Sequence, residues 1–82
     1  MNMPRLTVDP NSSSRYHPGW NAVLLRDATI IPSVGQEVLA VQDDPDGPDY
    51  ISTAIVQQVD LEAGLIYVTV DWDGFHDEEP SA

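Results

Sequence analysis

Cysteine and lysine are both absent from this chain of 82 residues. Without cysteine there is no disulfide, no thiolate zinc site and no cysteine nucleophile. Without lysine, and with 3 basic residues against 14 acidic ones, the chain is poorly equipped to replace the counterions of a phosphate backbone. Direct nucleic-acid binding is therefore not expected. The two histidines, His17 and His76, share no recognisable motif with a serine or an acid, so nothing in the sequence assembles a nucleophile, base and orienting group. No apolar run approaches the roughly 18 residues of a membrane span, and Met1 to Asp9 lacks the basic and then apolar pattern of an export signal. The expected location is the cytoplasm of a bacterial or infected cell, or a virion.

Cofactor and metal motifs are missing as well. There is no glycine-rich phosphate loop and no dinucleotide fingerprint. The acidic loops tempt a calcium reading, but neither frame fits an EF-hand. Setting Gly47 at the glycine position puts Gln42 first and Thr53 last; setting Gly74 there puts Thr69 first and Pro80 last. No cofactor, no metal site and no enzymatic activity are expected.

What is present is acid, unevenly spread. All three arginines (Arg5, Arg15 and Arg26) precede residue 27, where Asp9 is the sole acid; residues 27–82 hold every other acid and no base. A mildly basic segment is thus attached to a strongly acidic body, for a formal net charge of -11. Such a field attracts basic protein surfaces. The densest row is Asp43, Asp44, Asp46 and Asp49. A domain this small buries roughly 60% of its unfolded surface, and its core supplies only about 3–5 kcal/mol of net stability.

Residues 1–20 read as an extended N-terminal arm with little core of its own, because Pro4, Pro10, Pro18, Gly19 and the run Asn11 to Ser14 interrupt any sustained period. Residues 21–76 read as a β-barrel and 77–82 as an acidic, frayed tail. Ala22 to Leu25 and Thr29 to Ile31 are expected as strands, the second ended by Pro32. A turn at Ser33 to Gln36 then leads into the strand Glu37 to Gln42. The proline- and glycine-rich stretch 43–49 is a loop, Tyr50 to Val59 the next strand, and Leu65 to Trp72 the last. In that last strand Ile66, Val68, Val70 and Trp72 share one face, and Leu65, Tyr67, Thr69 and Asp71 the other. The expected core is Val38, Ala40, Ala54, Val56, Ile66, Val68 and Val70. The fold class is all-β, a small curled barrel of about five strands.

Three stretches, Val34-Gly35-Gln36-Glu37-Val38-Leu39-Ala40, Ala54-Ile55-Val56-Gln57-Gln58-Val59-Asp60 and Val68-Thr69-Val70-Asp71-Trp72-Asp73-Gly74-Phe75, resemble the SH3-like small barrels, and among them the Tudor-type domains. The likeness covers about half the chain. It implies an aromatic cage for methylated lysine or arginine, held by cation–π attraction. The residues it points to are Tyr50, Trp72 and Phe75, with Asp71 or Asp73 as carboxylate partner. The pattern departs at Ser52, where the family usually places an aromatic two residues before the alanine of its second strand; Tyr50 lies four before Ala54. Strand parity offers another place for Trp72, closing the core.

Three functions are compatible with these features. The first is a non-catalytic adaptor docking on a basic partner surface, with Tyr50, Tyr67, Trp72, Phe75 and the carboxylates of Asp43, Asp44, Asp46, Asp49, Asp71 and Asp73 as contacts. The second is a small structural subunit of a larger assembly, such as a phage capsid or connector accessory protein, in which Arg5 and Arg15 of the arm link copies of the chain; deleting residues 1–19 is then expected to leave a folded barrel. The third is a nucleic-acid mimic that occupies a host factor.

Overall fold

The structure is a computed structural model, and it describes residues 3–9, 11, 17–28, 30–43 and 46–78. It is all-β, with six strands and two single 3-10 turns among the described residues. The strands are β1 (Arg5–Thr7), β2 (Asn21–Leu24), β3 (Glu37–Gln42), β4 (Tyr50–Asp60), β5 (Leu65–Val70) and β6 (His76–Asp77). They form one strongly curled mixed sheet, a half-barrel, in the order β1-β3-β4-β5-β2, with β6 added on β4. Among the described residues no helix is long and apolar enough to cross a membrane.

The meander β3-β4-β5 follows from the sequence period. Val38 faces Ala54, Val56 faces Val68, and these side chains fill one face of the sheet. The ladder between β4 and β5 slips at Gln57, where the register passes from Val56/Val68 to Gln58/Tyr67. The extra residue restores Val59 to the core face despite its odd spacing, and a bulge of this kind bends the strand that carries it. Ser33 to Gln36 closes as a turn through Gln36 N–H donating to Ser33 O at 3.0 Å, with Gly35 supplying a φ of 87° that side chains adopt only under strain.

The core holds Val38, Ala40, Ala54, Val56, Ile66 and Val68 as expected, with Val70 partly buried against it. It also holds Val23, Leu6 and Val8. The last two correct the reading of residues 1–20 as an arm without core. β1 pairs in parallel with β3, Leu6 opposite Ala40, and the pairing continues through Val8 N–H to Val41 O at 2.9 Å. The short alternation Arg5-Leu6-Thr7-Val8-Asp9 sends Leu6 and Val8 inward and leaves Arg5, Thr7 and Asp9 exposed.

Two further expectations give way. Of the strand expected over Thr29 to Ile31, Thr29 lies outside the described residues, and Ile30 and Ile31 lie in a loop, 58% and 60% exposed. β-branching favours a pleated, half-buried surface, and here the last strand of that side, β2, has already paired with β5. The tail expected to fray over 77–82 is held at its start: His76 pairs with Ile51, Asp77 with Tyr50, and Glu78 N–H donates to Asp49 O at 2.7 Å, while residues 79–82 lie outside the described residues.

The two outer strands of the half-barrel meet at one point. Asn21, 3% exposed at the start of β2, donates from Nδ2 to the Asp9 carbonyl just past β1, at 3.0 Å. Asp9 and Asn21, 12 positions apart, are therefore neighbours in space.

Candidate functional site

At the end of the sheet where β4 begins and β5 finishes, three aromatic side chains come together. Tyr50 opens β4, Trp72 opens a 3-10 turn after β5, and Phe75 follows that turn. Tyr50 and Phe75 stack with centroids 5.2 Å apart and planes at 18°. Trp72 and Phe75 stack at 5.5 Å and 28°. Phe75 is common to both contacts and packs against the core, whereas Tyr50 and Trp72 are each 41% exposed.

Trp72 does not close the core, as its parity suggested. Asp71 leaves the strand conformation, with φ −81° and ψ 85°, so alternation ends at Val70 and the turn re-aims the next side chain. Two contacts hold that turn. Ser52, 3% exposed, donates its hydroxyl to the Asp71 carbonyl at 2.6 Å. Gly74 N–H donates to the same oxygen at 3.2 Å. A methyl group built on Gly74 would lie 2.6 Å from Asp71 Oδ2 and 3.0 Å from Ser52 Oγ, so a larger residue there obliges the Asp71 carboxylate to swing away and presses on the buried Ser52 hydroxyl. The same crowding explains the departure at Ser52: that position lies buried under the turn, and the aromatic surface is built from Tyr50 instead.

The nearly parallel rings make a row rather than an enclosing cage. Rings of this kind attract a cation above a face, and a planar guanidinium can lie flat on one. Carboxylates flank the row in sequence and register: Asp49 precedes Tyr50, Asp77 pairs with it, Asp71 and Asp73 bracket Trp72.

No family model, curated protein or solved structure matches this chain.

Beside the row, Arg5 ties three segments together. Its Nη1 and Nη2 donate to the two carboxylate oxygens of Glu78 at 2.7 and 3.1 Å, a fork-on-fork contact. Nη2 also reaches Asp49 Oδ2 at 3.4 Å. The hydrogen bond from Arg5 holds the Glu78 carboxyl below its usual range, and that bond together with the charges of Glu78, Asp49 and Asp43 raises the guanidinium's value. Glu78 ionises more readily folded than unfolded, so its contribution is complete well above about pH 4.3, the ordinary glutamate value. It is lost as pH falls through the lower folded value. Replacing Arg5 by glutamine is expected to return the Glu78 titration, followed by carboxyl carbon resonance, to the ordinary range and to change the melting temperature little, because the pair is exposed. A Glu78 titration unmoved by the substitution would show that the pair does not persist in solution.

Of the remaining sequence-predicted contacts, Asp43 and Asp46 are exposed in the 43–49 loop, while Asp44 and Arg15 lie outside the described residues. Tyr67 belongs to a different cluster. It is half-buried on β5 beneath Trp20, with ring centroids 6.1 Å apart, and Trp20 stacks on His17 at 3.9 Å. The turn His17-Pro18-Gly19-Trp20, closed by Trp20 N–H to His17 O at 3.0 Å, creates that stack. Sequence reasoning missed Glu78 and Asp77, whose role depends on pairing with a strand 27 positions earlier, Tyr50 to Asp77. Among the described residues no three His, Asp or Glu side chains converge as metal ligands.

Proposed function

We propose that this chain is a non-catalytic binding module of Tudor-like kind, which receives a cationic side chain of a basic protein partner on the Tyr50–Phe75–Trp72 row. The observation that carries this reading is the pairing of two 41%-exposed aromatic rings, both stacked on a third, with acids on every flanking segment. Contiguous exposed aromatic surface marks interaction sites, and Trp and Tyr are enriched at binding hot spots. The charge of the body, all acid after residue 26, supports a basic partner by long-range attraction. The arrangement supports arginine above trimethyl-lysine, because a row offers faces and carboxylate forks but no enclosure.

Calorimetric titration with a short arginine-rich peptide tests this. Saturable binding that weakens as salt rises is expected, and Trp72→Ala should lower affinity about tenfold, or ~1.4 kcal/mol, as a cation–π contact would. Trp72 lies outside the core, so the variant should melt like the parent chain. Equal affinity for the parent and the Trp72→Ala chain would remove the row from the site.

A further inference from the structure

We infer that β1 is an exchangeable strand: two copies of this chain can trade it, each β1 docking on the other copy's β3. β1 lies at the edge of the sheet, and among the described residues it pairs only with β3. Everything it contributes is contained within Pro4 to Asp9. Pro4 O accepts from Leu39 N–H, Arg5 binds Glu78 and Asp49, Leu6 and Val8 enter the core, and Asp9 O accepts from Asn21. A second copy's β1 reproduces each of these contacts without a new interface, which is why exchange is a low-cost route to a dimer.

Chain length permits it. In one copy the chain after Asp9 comes back to Asn21, whose side chain is 3.0 Å from the Asp9 carbonyl. Even with the His17–Trp20 turn left docked on Tyr67, residues 10–16 extend to roughly 25 Å at about 3.5 Å per residue. The shortest principal extent of the molecule is 20 Å.

Charge selects the occupant. Two acidic bodies repel each other, yet each carries an N-terminal segment with Arg5 and Arg15 that is complementary to the other's body. Asp49 and Glu78 already bind a guanidinium from β1, so the receiving surface is built for this strand.

The absence of native cysteine makes a direct test possible. Thr7 and Val41 are register partners across β1 and β3, and Thr7→Cys and Val41→Cys are nearly isosteric. Two single-cysteine full-length chains, T7C and V41C, are refolded together at high concentration and then oxidised. Neither can close a disulfide within itself, and Val41 is 3% exposed, so its thiol is accessible chiefly to a strand lying beside it. Exchange predicts a T7C–V41C cross-linked dimer in several-fold excess over V41C–V41C, absent when the chains are mixed after folding in dilute solution. Light scattering on the parent chain refolded in the same way should show a species of twice the monomer mass whose fraction grows with concentration. A parent chain that stays monomeric at every refolding concentration overturns the proposal. So does a dimer in which T7C and V41C fail to join.

Discussion

Removing residues 1–9 is expected to abolish cooperative folding. The deletion takes Leu6 and Val8, 0% and 4% exposed, out of the core and strips β3 of its partner. Burial of side chains this size contributes about 1.5–3 kcal/mol each, so the two together match the roughly 3–5 kcal/mol that a core of this size provides. The loss also bares the β3 edge, a template for pairing with other chains. Circular dichroism with thermal melting, alongside scattering to detect aggregation, reads the outcome. A truncated chain that melts cooperatively near the parent temperature would show that β1 is dispensable, as the reading of residues 1–20 as an appended arm implied. Because Leu6 and Val8 belong to the core, truncation of this segment cannot separate assembly from folding, and exchange of β1 has to be tested with the full chain.

Val68→Asp is expected to be equally damaging, by a different route. Val68 is fully buried, opposite Val56 on one side and Asn21 on the other. A carboxylate there has no basic partner, since the described arginines, Arg5 and Arg26, are both exposed. An unpaired buried charge costs more than a domain of this size can lose, and even the protonated form leaves a hydroxyl to satisfy. The expected result is a chain without a cooperative urea transition at neutral pH. Val68→Ala, which removes volume but adds no charge, should stay folded and lose about 1–3 kcal/mol. Retention of the parent midpoint by the aspartate variant would mean that β5 does not face a dry core.

The contrast between these two substitutions marks how much could be read without coordinates. Val68 belongs to a run with clean alternation, Ile66-Tyr67-Val68-Thr69-Val70, and its burial was legible because a strand places successive side chains on opposite faces. Leu6 and Val8 show the same period over only five residues, between prolines, too short a signal to outweigh the breakers around it. The candidate site divides in the same way. Tyr50, Trp72 and Phe75 were nameable from residue type and from likeness to small barrels, and Asp71 and Asp73 from adjacency. Arg5 and Glu78 were not nameable as partners, since they stand 73 positions apart and meet only through two separate strand pairings. Tyr67 was drawn into the site by its exposure on an alternating strand, and the His17–Trp20 turn covers it instead.

The sequence by itself determined the all-β class, the meander of three long strands, most of the core, and the separation of a few arginines from a body of acids. Those properties depend on composition, period and turn residues, all of them local. Tertiary structure alone decided that β1 completes the core by pairing in parallel with β3, that β5 stops at Val70, and that the C-terminal stretch returns to Tyr50. Each depends on which distant backbone has free donors and acceptors at that edge, and local periodicity carries no record of that. The aromatic row is where the two meet: its residues are written in the chain, but their stacking is set by a turn in which Gly74 packs closely against the Asp71 and Ser52 side chains.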